Sequence, residues 1–261
     1  MTAVEVHAVA EGPPARPALV LSPSLGSSLD MWEPQAAALR GQFRVIRYDH
    51  RGHGRSPVPP GPYQIADLAT DVVRLLDRLD IPAAHFCGIS LGAMTGMVLA
   101  ATHPQRVRRL VLCCTAARMP TPEAYGQRAA AVRREGTATI AASVVARWVT
   151  PGFAAGHPEL IRRLQAMVAH TSDEGYAACC EAIERMDLRG LLPRIDAPTL
   201  LIAGAEDPAT PPVEAERIAA RIPDAQVQVL SPAAHLASVE QPEAVTSLLV
   251  SHLTATEARH A

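Results

Sequence analysis

Lysine and asparagine are both absent from the 261 residues, so all 24 basic residues are arginine. We read that bias as codon usage in a GC-rich genome, without functional content. Neither sign of charge is in excess. A formal net charge of -2 gives no bulk electrostatic case for nucleic acid or an anionic membrane. No apolar run approaches the roughly 18–20 residues that span a bilayer. Met1 to Ala10 lacks the basic region and apolar block of a signal peptide. The cysteines, at 87, 113, 114, 179 and 180, match no zinc spacing and make a poor disulfide framework. Together these absences predict reduced, buried thiols in a cytoplasmic protein. What is present is 48% hydrophobic and 19% charged residues, ample for one large α/β domain or a domain carrying an insertion.

Short apolar runs alternate with helical patterns. Strands are expected at Val4 to Val9, Ala18 to Ser22, Phe43 to Tyr48, Ala83 to Cys87 and Val107 to Cys113. Between them, Asp30 to Leu39 has helical character. Ile65, Leu68, Val72, Leu75, Leu76 and Leu79 recur at helical spacing, predicting an amphipathic helix over 65–80. From Arg118 to Arg185 the rhythm stops: the stretch is Ala-, Arg- and Glu-rich and offers no strand, which predicts an inserted helical cap. Strands resume at Thr199 to Ala203 and Val227 to Leu230, with helices at Val213 to Arg221 and from Pro242 onward. The expected organisation is a core of residues 1–117 and 186–261 around a cap of 118–185. Its mostly parallel sheet is covered on both faces.

The chemistry centres on Gly88-Ile89-Ser90-Leu91-Gly92, where the fourth strand turns into a helix. Gly-x-Ser-x-Gly at such a junction is the nucleophile-elbow pattern, its glycines standing where a Cβ would collide. The N–H of Leu91 would open the helix facing the same space as Ser90, as one oxyanion donor at the positive end of the helix dipole. A serine hydroxyl needs a base, and the base needs a carboxylate to orient it. Asp207 and His235 follow the serine in the required order, each just beyond a late strand. Glu206 is an alternative acid, and Asp207-Pro208 also reads as a turn. His53 precedes the serine and is disfavoured as base. The loop after the second strand, Ser24-Leu25-Gly26, offers the Leu25 N–H as second oxyanion donor. In Arg51-Gly52-His53-Gly54-Arg55-Ser56 the glycines suit a tight loop and Arg51 a local ion pair, a structural role. Cys87 and Cys179-Cys180 are expected to be structural, with nothing marking a thiolate.

These motifs, with Asp49-His50-Arg51-Gly52-His53-Gly54, resemble the α/β-hydrolase superfamily over nearly the whole chain. More narrowly, the chain is similar to the 3-oxoadipate enol-lactonases of the β-ketoadipate pathway. That likeness rests on Ser24-Leu25-Gly26, Leu29-Asp30-Met31-Trp32, Arg147-Trp148-Val149-Thr150-Pro151 and Ala203-Gly204-Ala205-Glu206-Asp207-Pro208. Pro23 is a departure, standing where those lactonases carry asparagine. The resemblance implies an α/β-hydrolase fold with a helical cap inserted after the sixth strand, and lactone opening through an acyl-enzyme on Ser90. It implies no metal and no organic cofactor. The substrate it implies is a small anionic lactone or ester, held by Arg147 beside Trp148, with Arg133 and Arg134 as further candidates. A carboxylesterase, another lactonase or a carbon–carbon bond hydrolase on the same triad is the competing expectation, and a non-catalytic lactone receptor a more distant one. No oligomeric state is assigned.

Overall fold

The computed structural model describes residues 3–255. Among them, seven strands form one sheet in the order β1-β3-β2-β4-β5-β6-β7: β1 (Ala8–Glu11), β2 (Ala18–Ser22), β3 (Arg44–Tyr48), β4 (Ala84–Ile89), β5 (Val107–Cys113), β6 (Thr199–Gly204) and β7 (Ala225–Leu230). Only β1 runs antiparallel, against β3; all other pairings are parallel. Position in the sheet explains the sequence patterns. Every residue of β2, β4 and β6 is buried, which demands unbroken apolar runs, whereas edge strand β7 keeps both glutamines exposed.

Helices α1 (Glu33–Leu39), α2 (Ile65–Arg78) and α3 (Leu91–Thr102) accompany the first five strands; α9 (Pro212–Ala219), α10 (Ala237–Glu240) and α11 (Pro242–Thr254) accompany the last two. Helix α2 buries Ile65, Leu68, Val72, Leu75 and Leu76 along one side, and the Asp67 carboxylate accepts the Gln64 N–H at its start. Helix α3 is buried all round from Leu91 to Ala101, so its sequence carries almost no polarity. Between β5 and β6 the chain forms five helices: α4 (Glu123–Glu135), α5 (Thr137–Val145), α6 (Pro151–Gly156), α7 (Pro158–Ala169) and α8 (Asp173–Arg185).

Two expectations need correction. The insertion follows the fifth strand of this sheet, not the sixth. The first strand also begins at Ala8 and not at Val4. Ahead of it the backbone finds side-chain partners in place of a ladder: the Val4 N–H donates to Asp71 Oδ1 at 2.7 Å and the His7 N–H to Ser56 Oγ at 2.9 Å. Arg51 makes its ion pair across elements and not locally, its Nε and Nη2 each 2.7 Å from the Asp71 carboxylate of α2, both side chains buried. No helix among the described residues is long and apolar enough to cross a membrane, and all five cysteines are free and buried.

Candidate active site

Ser90 occupies a backbone conformation that L-residues rarely adopt, with φ 54° and ψ -115°. The surrounding approach leaves no room for side chains. A Cβ on Gly88 would lie 2.3 Å from the Gly92 carbonyl, and one on Gly92 would lie 2.3 Å from the Ser22 carbonyl oxygen. The turn is tied to the sheet by the Ser90 N–H, which donates to the Cys113 carbonyl at 2.9 Å, and by the Thr115 hydroxyl, which donates to the Ser90 carbonyl at 3.1 Å. Ser90, Asp207, His235 and Leu25 all follow the C-terminal ends of parallel strands, and so converge on one edge of the sheet.

There the three polar side chains form a relay. Ser90 Oγ lies 2.9 Å from His235 Nε2, and His235 Nδ1 lies 2.8 Å from Asp207 Oδ2. An ionised carboxylate only accepts, so Nδ1 carries the proton and Nε2 is left to accept the serine hydroxyl. The carboxylate is over-determined. Its Oδ1 accepts the N–H groups of Ala209 and Thr210 at 2.8 and 3.0 Å, and its Oδ2 the Thr210 hydroxyl at 2.6 Å. Burial by itself pushes the Asp207 carboxyl up; His235 and Thr210 outweigh it and hold the group below the usual carboxylate range. Glu206 points no such contact at the histidine. Its backbone bonds to Ala233 and the residue is exposed.

The loop after β2 is held by its neighbours at every point but one. The Ser24 N–H reaches Met31 Sδ at 3.3 Å, the Gly26 N–H donates to His53 Nε2 at 3.0 Å, and the Pro23 carbonyl accepts from His50 Nε2 at 3.0 Å. Among the described residues, the N–H groups of Leu25 and Leu91 have no acceptor. His53 is therefore a brace and not a base: its Nδ1 donates to the Arg51 carbonyl at 3.2 Å, leaving Nε2 to accept. Burial lowers the pKa of His50 to about 3 and of His53 to about 4, so both rings are neutral. The unfolded chain takes up a proton at each ring near pH 6.5, and the folded chain refuses it until far lower. Stability is thus fully present above pH 6.5 and falls as pH drops from there toward 4. Denaturant unfolding between pH 8 and pH 4.5 checks this; a flat profile across that window would contradict it.

Above Ser90 the helical insertion covers a narrow cavity of about 40 Å³. Ser24, Leu25, Ser90 and His235 form its floor, and Tyr125, Arg128, Arg147, Trp148 and Tyr176 its wall. Arg147 and Trp148, both singled out from sequence, stand there. Arg133 and Arg134 do not: Arg133 is bound to Glu174 and Glu181, and Arg134 to Glu135. Sequence reasoning missed Arg128, whose guanidinium lies 4.8 Å from the Tyr125 ring centre. The i, i+3 spacing of Tyr125 and Arg128 on one helix face was the available signal. Neither Arg128 nor Arg147 has a carboxylate partner among the described residues. Burial, with the charge of Arg128 added, depresses the Arg147 pKa. The buried Tyr176 hydroxyl faces the Arg128 guanidinium, without the geometry of a full hydrogen bond. No group of three or more metal-ligating side chains occurs among the described residues.

Residues 17–242 match the family model described as the alpha/beta hydrolase fold. The chain is 45% identical, over 88% of its length and 85% of the relative's, to 3-oxoadipate enol-lactonase 2 of Acinetobacter baylyi. An enol-lactonase from Burkholderia xenovorans LB400 superposes with a TM-score of 0.94 at 42% identity, covering 97% of both chains. A thermophilic esterase from Thermogutta terrifontis, with malate bound, follows at 0.89 and 33% identity, covering 96% of this chain and 93% of the other. The chain belongs to the α/β-hydrolase fold family.

Proposed function

We propose that this enzyme, a hydrolase of carboxylic ester bonds, opens a lactone that carries a free carboxylate, with 3-oxoadipate enol-lactone as its substrate. The observation that carries this reading is the pair of arginines without carboxylate partners, Arg128 and Arg147, in the wall of the cavity floored by Ser90 and His235. The likeness to two enol-lactonases supports the same choice. Residues 118–185 act as the substrate-selecting cap. The reading carries with it a cytoplasmic enzyme of aromatic catabolism, acting on a small molecule.

In this mechanism His235 Nε2 takes the Ser90 proton as Oγ attacks the ring carbonyl. The Leu25 and Leu91 N–H groups receive the oxyanion, each such donor being worth about 2.7–4 kcal/mol. Collapse of the tetrahedral intermediate expels the ring oxygen as an enolate, a better leaving group than an alkoxide, which takes a proton and tautomerises to the ketone. His235 then activates water to release the acyl group as a second carboxylate. Serine, histidine and backbone N–H groups supply nucleophile, base and electrophile, so the scheme calls on no cofactor.

The test is steady-state hydrolysis of freshly generated enol-lactone beside an uncharged p-nitrophenyl ester. Wild type should prefer the lactone strongly in kcat/KM. Arg128→Ala and Arg147→Ala should each lower kcat/KM for the lactone by about 10- to 100-fold, the scale of a lost hydrogen bond to a charged group, and leave the ester nearly unchanged. Equal losses on both substrates would remove the carboxylate-binding role. Ester activity without lactone preference would favour a carboxylesterase, the reading to which the esterase likeness points.

A further inference from the structure

Glu240 lies outside the cavity, in α10, yet its carboxylate is shared between the loop that carries His235 and the helical insertion. Oε2 accepts the Ala234 N–H at 2.5 Å, while Oε1 accepts both the N–H and the hydroxyl of Thr150, at 2.8 and 2.7 Å. On the other side of the histidine, the Leu236 N–H donates to the Trp148 carbonyl at 2.6 Å. The two residues flanking His235 are therefore fastened to Trp148 and Thr150, the stretch that immediately follows Arg147.

The opposite side of the same loop is fastened to the sheet. The Glu206 N–H donates to the Ala233 carbonyl at 2.9 Å, and β6 comes so near that a Cβ on Gly204 would lie 2.2 Å from the Ala234 carbonyl oxygen. His235 thus hangs between a fixed anchor on the sheet and a second one on the insertion. A buried backbone N–H must find an acceptor. Here the acceptor is a charged side chain, so the bond is stronger than a neutral one and it holds two segments at once.

We infer that Glu240 is a positioning residue: it aligns the His235 ring with Ser90 and couples that alignment to the Arg147 segment of the insertion. The inference rests on the roles proposed above for Ser90, His235 and Arg147. An anion docked on Arg147 and a histidine set for proton transfer then stabilise one arrangement of Trp148–Thr150. The coupling gives anionic substrates an advantage in kcat as well as in binding.

Glu240→Gln tests this, because the amide keeps the shape but offers one acceptor where two are used. Three readouts are taken well below the melting temperature: the rate at which a fluorophosphonate labels Ser90, kcat and KM on p-nitrophenyl acetate, and the same constants on the enol-lactone. The labelling rate and the ester kcat should fall by about 10-fold with KM nearly unchanged, and the lactone kcat by about 100-fold, the scale of a small misplacement of a reacting group. Thr150→Val should act in the same direction but more weakly, and Thr150→Ser should restore wild-type rates; this pair serves if the Gln variant folds poorly. A lowered melting temperature with labelling rate and kcat intact would reduce Glu240 to a structural clamp and overturn the inference. Equal losses on ester and lactone would overturn the coupling. A wild type that is labelled but does not open the lactone removes the lactonase reading alone, since the ester and the label still report on Glu240.

Discussion

Ser90→Ala is expected to lower kcat by about 10⁶-fold, the scale seen when the nucleophile of such a triad is removed. What survives should be the effect of binding and of the Leu25 and Leu91 donors, leaving roughly 10³–10⁴-fold over water. The fold should be indifferent. Alanine inherits the same positive φ, so the backbone strain at the turn is unchanged. The lost Oγ–His235 bond is worth only about 1 kcal/mol net. Stopped assays on the lactone, fluorophosphonate labelling and a thermal melt on the same preparation would check this. A folded Ser90→Ala variant with near wild-type turnover would end the acyl-enzyme reading outright.

Asp207→Asn should cost about 10⁴-fold in kcat, and the reason lies in the donor count around that side chain. The carboxylate accepts from Ala209, from the Thr210 N–H, from the Thr210 hydroxyl and from His235 Nδ1. Asparagine has one acceptor oxygen, and two backbone N–H groups already claim that side. Its NH₂ then faces His235. The ring must turn Nδ1 into an acceptor and place its proton on Nε2, which aims a donor at Ser90 where a base is required. Geometry survives and proton transfer does not. The control is Glu206→Gln, expected within about two-fold of wild type as an exposed substitution away from any such network. An active Asp207→Asn with a dead Glu206→Gln would reverse the assignment of the acid.

Much of this arrangement is legible in the sequence. Buried parallel strands need apolar runs, so β2, β4 and β6 announced themselves. The elbow was legible because only glycine fits at 88 and 92. The order of serine, acid and histidine followed from where loops leave such strands. The N-terminal strand was misplaced because the partners of Val4 and His7 are side chains far along the sequence, Asp71 and Ser56, which no local pattern encodes. The insertion was readable as helical but not as a surface. Arg128 and Arg133 share α4, yet one reaches the cavity and the other pairs with α8, a difference made by tertiary placement alone. The loop from Arg51 to Ser56 reads as structural; that its His53, together with His50 before it, braces the backbone around Leu25 needs the fold.

The position of the helical insertion bears on how such a chain can diverge. Cys113 and Ile202 are neighbours in the sheet but lie on either side of all five inserted helices. The entropy lost in closing so long a loop rises only logarithmically, by about 0.6 kcal/mol for each doubling of its length. Helices can therefore be lengthened or shortened between β5 and β6 at little cost in loop-closure entropy. On the proposed function, drift on the cavity side of α4 to α8 is filtered by which molecule is accepted, whereas their buried faces share one cluster with the sheet and are filtered by folding. Trp148 and Thr150, bonded to Leu236 and Glu240, are points where a transplanted insertion must fit the host.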